Sequence, residues 1–263
     1  MWSDLGIILR SYRLGESDRI LRIFTREHGK RSAVAKGIRR TTSKFGARLE
    51  PLTCAFLLFH TGRSMDIVTQ AEIRTSFKEL RENLDLFVRA STMAELVDSL
   101  TQEHEPHPEL FDMLREGLTM MRDLPEGADL ALSSFEFKAM ACAGFEMRVG
   151  DCANCGSALG AEDVSFSLHL GGFACGGCRT RRSGELGKLV RVHKETARLL
   201  GWIACHELGD WPDPLPGQAC LRELGALMDG ILEYWTEREI RSRRVARRMP
   251  GAVGREGVAN GQG

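Results

Sequence analysis

The sequence predicts an α+β protein in which an N-terminal five-stranded barrel precedes an α-helical domain with an inserted four-cysteine module. Three observations predict this class. Short strand-like segments fill the first part of the chain, apolar residues change to helical spacing near Ser76, and two C-x2-C pairs interrupt the helical part. We place the barrel domain at residues 1–78 and the helical domain at residues 79–248, with the cysteine module at residues 150–182. Residues 249–263 are predicted to form a disordered tail, because they are rich in glycine and lack apolar periodicity.

The barrel domain contains five segments of strand-like composition, separated by turn signals. Gly29 and the turn at residues 61–64 supply two of the chain reversals. Five short strands joined by regularly spaced turns are typical of a small barrel. The predicted strands cover residues 5–10, 19–24, 31–38, 53–60 and 65–73.

The helical domain begins after Asn83, a favourable N-cap that is followed by apolar residues at helical spacing. The prolines of the segment 106–108 end this first helix. Gly144 suits the C-terminal end of a later helix, because glycine adopts positive φ without strain. The later helices are predicted at residues 109–123, 130–143, 193–205 and 218–241.

Bulk composition indicates a folded protein that acts inside the cell. The hydrophobic fraction is 43% and the formal net charge is zero. No apolar run reaches the ~18–20 residues that cross a bilayer, and the first residues lack the pattern of a secretory signal. We therefore expect a cytoplasmic location without a membrane partner, where the eight cysteines are thiols or metal ligands rather than disulfides.

Charge is unevenly distributed along the chain. Residues 10–48 hold twelve bases and three acids, whereas residues 79–130 hold thirteen acids and four bases. Residues 238–255 are again basic, with seven arginines and one acid. The first segment predicts a polyanionic partner, but the oppositely charged segments could equally neutralise one another in the fold.

Two C-x2-C pairs predict a metal site with four thiolate ligands. Nineteen residues separate the pairs, a spacing typical of structural zinc. Four cysteines fill the tetrahedral shell and leave no position for a reactive water, so we expect one structural zinc ion. Redox pairing within each C-x2-C remains the alternative. The predicted ligands are Cys152, Cys155, Cys175 and Cys178.

A basic barrel can bind single-stranded nucleic acid. Lysine and arginine side chains neutralise the phosphates, and aromatic rings stack on the nucleobases. Phe45 is the suggested stacking ring because it lies in a polar loop, whereas Phe24 lies on a strand and is expected in the core. The other predicted contacts are Arg22, Lys30, Arg31, Lys36, Arg39, Arg40, Lys44 and Arg48. A candidate second basic site is formed by Arg241, Arg243 and Arg244.

Several local motifs resemble the family of the bacterial recombination-repair protein RecO. The segment Ala35–Arg40, with Ser43–Phe45 and Leu49–Leu52 after it, is similar to that family's Lys-Gly-x-Arg loop and the following strand entry. The stretch from Gly144 to Gly156, the segment 172–175 and the basic segment 241–244 resemble its zinc module and C-terminal end. This resemblance extends to about Arg248.

The resemblance implies an N-terminal OB-fold, a helical body with the zinc module, and no covalent chemistry. It also implies binding of single- and double-stranded DNA and annealing of complementary strands in the bacterial nucleoid. With RecR, and sometimes RecF, such proteins help load the RecA recombinase onto DNA coated by single-strand-binding protein, which they also contact. On this basis the favoured DNA contacts are Lys36, Arg39, Arg40 and Lys44.

Two other functions are compatible with the residue patterns alone. An RNA-binding protein of translation or transcription can also combine an OB-fold with a zinc ribbon, and it would differ in its preference for RNA. A zinc enzyme would require an open metal position, which four cysteine ligands do not leave. No catalytic constellation is present in the sequence, so we expect a binding protein rather than an enzyme.

Overall fold

The computed structural model describes residues 1–39, 45–160, 164–181, 183–236 and 242. Its N-terminal part is a closed five-stranded barrel. The strands are β1 (Trp2–Leu14), β2 (Asp18–Thr25), β3 (Gly29–Ala35), β4 (Cys54–His60) and β5 (Asp66–Thr75). Their order around the barrel is β1-β2-β3-β5-β4, and neighbouring strands are antiparallel except β3 and β5, which form a short parallel pair. This confirms the predicted barrel, and its strand order is that of an OB-fold.

The barrel interior is filled by alternate residues of its strands, including Ile8, Leu21 and Leu57. At one end the Trp2 ring stacks on Phe59 with 3.9 Å between ring centroids. Apolar side chains from the described parts of the loop between β3 and β4, Ile38, Phe45 and Leu49, join the same core. The barrel interior is therefore filled by side chains.

The helical part contains α1 (Lys78–Glu82), α2 (Leu84–Leu100), α3 (Pro108–Asp123), α4 (Ala128–Cys142), α6 (Lys194–Cys205) and α7 (Gln218–Thr236). Asn83 caps α2 as expected, since its side-chain oxygen accepts the Asp85 and Leu86 backbone N–H groups at 3.0 and 3.2 Å. Gly144 has φ +90° just beyond α4, in agreement with its predicted role. The predicted continuation of α7 to residue 241 lies outside the described residues.

The barrel and the helices share one hydrophobic core. Ile7, Leu9 and Phe24 of the barrel pack in a cluster with residues of α2, α3 and α4. Phe24 lies 5.9 Å from Phe111 of α3, measured between ring centroids. This is the core role expected for Phe24, and it fixes which outer face of the barrel the helices cover.

The cysteine module contains a small antiparallel sheet that the sequence patterns did not reveal. Its strands are β6 (Val164–Ser167), β7 (Gly172–Ala174) and β8 (Leu189–Val192), in the order β7-β6-β8. The short helix α5 (Gly176–Arg181) follows β7 and carries the fourth cysteine. Phe166 and Phe173 pack with residues of α6 and α7, which attaches the module to the helical body. Within the described residues, no helix is both long and apolar enough to span a membrane.

Candidate nucleic-acid interface and metal centre

Lys30, a predicted DNA contact, is buried at the junction of the barrel and the helices, with 4% exposure. Its Nζ donates to the carbonyl oxygens of Asp98 and Thr101 at 2.5 and 2.6 Å, and it lies 3.1 Å from the Asp98 carboxylate. Burial acts to raise the pKa of Asp98, but the hydrogen bond and charge of Lys30, followed by those of Arg22, hold the pKa below its usual value. The positive charge of Lys30 is therefore paired with Asp98 and stabilises the contact between the barrel and the helices.

Arg22, a second predicted DNA contact, also pairs with acids of the helical part. Its guanidinium is 3.1 Å from the Asp98 carboxylate and also pairs with Glu103. The loop that carries Glu103 packs tightly on the β2–β3 turn, since a side chain at Gly29 would meet the Glu105 carbonyl. Arg10 and Arg26 likewise pair with acids of the helical part. The acidic segment thus neutralises much of the basic one, and Arg22 and Lys30 are corrected to interdomain ion pairs.

Arg31 covers the closed end of the barrel. Its guanidinium lies 4.8 Å from the centroid of the Trp2 ring, in a cation–π arrangement, and contacts the ring of His104. Trp2 is in turn stacked on Phe59. Arg31 is half-buried, and its planar group is already engaged with the indole, away from the loop that carries the other predicted contacts.

Phe45 was predicted to stack on nucleobases, and its position corrects this expectation. The side chain is 2% exposed and packs with Ile38 and Leu49 in the barrel core. The physical reason is that burial of the apolar ring beside Ile38 and Leu49 is favourable and attaches this part of the β3–β4 loop to the barrel core. A polar loop therefore contains a core residue, and the aromatic ring positions the loop rather than offering its face to a ligand.

The same loop carries the other predicted basic contacts that the structure describes, and it exposes them to solvent. Lys36, Arg39 and Arg48 are exposed. The backbone N–H of Arg39 donates to the Ser17 carbonyl at 3.0 Å, and that of Gly37, at φ +66°, donates to the Asp18 carboxylate at 2.8 Å. These bonds hold the turn against the β1–β2 hairpin. The predicted contacts Arg40 and Lys44 lie outside the described residues.

Two exposed residues near the tip of the β1–β2 hairpin belong to the basic segment but were not among the predicted contacts. Tyr12 is 51% exposed and Arg13 is also exposed, opposite Arg19 of β2. The predicted β1 ended at residue 10, whereas the strand continues to Leu14. The turn residues Gly15–Ser17 were the available signal, because a tight turn there extends both strands to the tip.

The four predicted metal ligands meet in one cluster. Their sulfur atoms all lie within 4.8 Å of one another, and the Sγ atoms of Cys155 and Cys175 are 3.7 Å apart. Backbone N–H groups point at two of the sulfurs: that of Cys175 lies 3.3 Å from Cys152 Sγ, and that of Cys178 lies 3.4 Å from Cys175 Sγ. Gly156, at φ +72°, closes the first knuckle. This arrangement can hold a metal ion and is consistent with a zinc module.

The electrostatics of the cluster favour a bound cation. Hydrogen bonds from the side chain and backbone of Ser157 lower the pKa of Cys155 to about 6. The interaction with Cys155 raises the pKa of Cys178 to about 12. Sulfurs this close cannot all ionise alone, because like charges repel, whereas a divalent cation allows each to bind as thiolate.

The candidate second basic site, at Arg241, Arg243 and Arg244, lies outside the described residues. Ser242 between them is described, and its backbone N–H donates to the Glu95 carboxylate at 2.9 Å. Its hydroxyl donates to the same carboxylate at 2.5 Å. Ser242 is therefore attached to α2, at the carboxylate with which Arg10 also pairs.

The fold and the two sites define a class of protein in which an OB-fold barrel is joined to a helical body bearing a four-cysteine metal module. Two family models match this chain. The model described as "Recombination protein O N terminal" matches residues 1–77, and that described as "Recombination protein O C terminal" matches residues 81–244. The chain therefore belongs to the Recombination protein O family, whose members act in DNA repair and recombination, and this favours the DNA-repair interpretation over the RNA-binding one.

Individual relatives agree with the family match. A protein named "DNA repair protein RecO" from Nocardioides sp. is 37% identical over 247 residues, covering 92% of this chain and 97% of the relative. One of the same name from Frankia casuarinae is 34% identical, covering 92% and 96%. A third, from Rubrobacter xylanophilus, is 41% identical over 180 residues, covering 68% and 72%. The similarity thus spans both the barrel and the helical part.

Proposed function

We propose that this chain is a DNA-binding recombination mediator whose basic β3–β4 loop holds the phosphate backbone. One observation carries the proposal: Lys36, Arg39 and Arg48 are exposed on a loop anchored to the barrel, whereas Lys30 is buried against the helical part. Basic side chains on anchored segments bind a polyanion without losing much conformational entropy. Contacts of this kind give weak sequence preference and strong dependence on salt.

Strand annealing follows from such a surface without any covalent step. Two complementary strands repel along their phosphates, and a protein that neutralises phosphates while leaving base edges accessible lowers that repulsion. In the proposed role, the chain anneals single strands and, with RecR and in some cases RecF, helps load RecA onto DNA coated by single-strand-binding protein. Family membership supports these partners and a place in the bacterial cytoplasm, and binding rather than catalysis explains the role.

We assign the cysteine cluster to one structural zinc ion. Tetrahedral zinc with Zn–S bonds of about 2.3 Å separates its sulfur ligands by roughly 3.8 Å. The 3.7 Å separation of the Cys155 and Cys175 sulfurs fits this geometry. Four protein ligands leave no open position, so the ion would hold β7 and α5 together rather than activate water.

The proposal is tested by a triple charge reversal, Lys36→Glu, Arg39→Glu and Arg48→Glu, with binding of labelled single-stranded DNA measured by fluorescence anisotropy. Each phosphate contact on a single strand contributes about 0.7 to the slope of the logarithm of the binding constant against the logarithm of the salt concentration. With 1 M salt as the reference, one contact therefore raises the affinity about 8-fold at about 50 mM salt. Loss of three contacts should weaken binding by a few hundred-fold and reduce the slope by about two.

A second triple variant with the same change in net charge provides the control. It reverses exposed bases of the helical part, at Lys78, Arg115 and Arg222. If the loop binds DNA, this control should retain most of its affinity. Equal loss in both variants would show that only overall charge matters. Unchanged affinity in the loop variant would remove the loop from the interface.

A further inference from the structure

Tyr12 occupies an unusual position on the outer surface of the barrel. Strand register pairs Tyr12 with Ile20 of β2, and Ile20 with Val34 of β3. These three residues form a row across the sheet that points away from the core formed by Ile8 and Leu21. Val34 is 9% exposed, but Tyr12 at the end of the row is 51% exposed. The row therefore presents an apolar strip with one accessible aromatic ring.

Basic residues neighbour Tyr12 along the barrel surface. Two residues earlier on the same face, Arg10 interacts with the Tyr12 side chain and is itself held by Glu95. On the other side of Tyr12, at the tip of the hairpin, Asp18 and Ser17 bond the turn that carries Lys36 and Arg39. The Tyr12 ring is therefore placed between the guanidinium of Arg10, which Glu95 holds, and the exposed basic side chains of the β3–β4 loop.

We propose that Tyr12 is the stacking residue of this barrel and that it gives the surface a preference for single-stranded DNA. Unpaired bases expose faces on which a tyrosine ring can stack, whereas the bases of a duplex are already stacked on one another. Tyr12 would take the role that the buried Phe45 cannot fill. This inference rests on the proposed function, because it specifies which form of DNA the loop and hairpin prefer.

The test compares Tyr12→Ala and Tyr12→Phe on three labelled probes: oligothymidylate, an abasic strand with the same number of phosphates, and a duplex. Base stacking on an aromatic side chain accounts for about 10-fold in affinity, within a range of roughly 5- to 150-fold. Tyr12→Ala should weaken oligothymidylate binding by about that factor and leave the other two probes unchanged. Tyr12→Phe should bind like the parent, since it keeps the ring.

The second tyrosine of the chain supplies the matched control. Tyr234 is 42% exposed and lies on α7, away from the hairpin. Tyr234→Ala should bind all three probes like the parent. If Tyr12→Ala weakens oligothymidylate and abasic binding equally, or changes neither, stacking by Tyr12 is refuted. If the parent protein binds no DNA, the proposed function itself fails, which is a different result from parental binding that Tyr12→Ala leaves intact.

Discussion

Replacement of Lys30 by methionine separates the basic residues that stabilise the fold from those that we propose to bind DNA. The unbranched methionine side chain keeps much of the buried volume but removes the ammonium group. Asp98 then loses one cation, and the carbonyl oxygens of Asp98 and Thr101 lose the donor that lies 2.5 and 2.6 Å away. A backbone carbonyl without a donor is costly at a site where the replaced side chain was 4% exposed.

The expected loss of stability is about 3 kcal/mol. Removing one partner of a buried ion pair costs about 3–5 kcal/mol. The lower end applies because Asp98 retains Arg22 at 3.1 Å and its own side chain is 20% exposed. For a chain of this size the melting temperature should fall by about 6–12 °C, since each kcal/mol corresponds to about 2–4 °C.

Lys36→Met is the matched control, because it makes the same substitution at an exposed position of the loop. Urea denaturation followed by tryptophan fluorescence should show no more than about 0.5 kcal/mol of change for this variant. DNA anisotropy should show the reverse ranking, with an affinity loss of about 8-fold for Lys36→Met and none for folded Lys30→Met. The reasoning is refuted if Lys30→Met unfolds like the parent protein and instead loses DNA affinity.

Three further outcomes are expected. Cys178→Ser should lose most of the bound metal, counted by elemental analysis against one zinc per parent chain, and should loosen the β7–α5 region in hydrogen exchange. Because the pKa of Asp98 lies below its ordinary value, its stabilising contribution should be full above about pH 4 and lost as the pH falls through the lowered pKa. An Asp98→Asn variant should lack that part of the acid sensitivity in urea titrations at several pH values. Phe45→Leu should keep DNA affinity within about 2-fold while lowering stability by about 1 kcal/mol; a large loss of affinity at unchanged stability would restore Phe45 as a stacking residue.

Local periodicity was sufficient to predict the barrel and the main helices. Asn83 and Gly144 act through their own backbone and the residues next to them, so their roles can be recognised from the sequence. The strands β6, β7 and β8 were missed because each has only three or four residues. A segment that short shows too few alternations to reveal a strand. The four cysteines were nevertheless found, since the spacing of C-x2-C pairs is a local signal.

The errors concern residues whose role depends on a distant partner. Lys30 and Arg22 look like DNA contacts in a basic segment, but Asp98 and Glu103 reach them from about seventy to eighty residues away in sequence. Phe45 looks exposed because its neighbours in the chain are polar, although residues of distant strands form the core in which it is buried. Tertiary packing determines whether such a residue is exposed, buried or paired, and a local sequence pattern holds no information on that packing.

Several basic side chains on the barrel strands are paired with acids, and this changes how the charge of residues 10–48 should be interpreted. A count of twelve bases suggests a broad positive face, but an acid held at 3.1 Å cancels most of the field of its partner at the distance of a bound strand. Among the described residues of that segment, the exposed basic side chains that lie on the loop and the hairpin tip are Arg13, Lys36, Arg39 and Arg48. In the proposed interface, phosphate binding would therefore depend on a few groups held by the anchored loop and the hairpin rather than on the total charge of the segment.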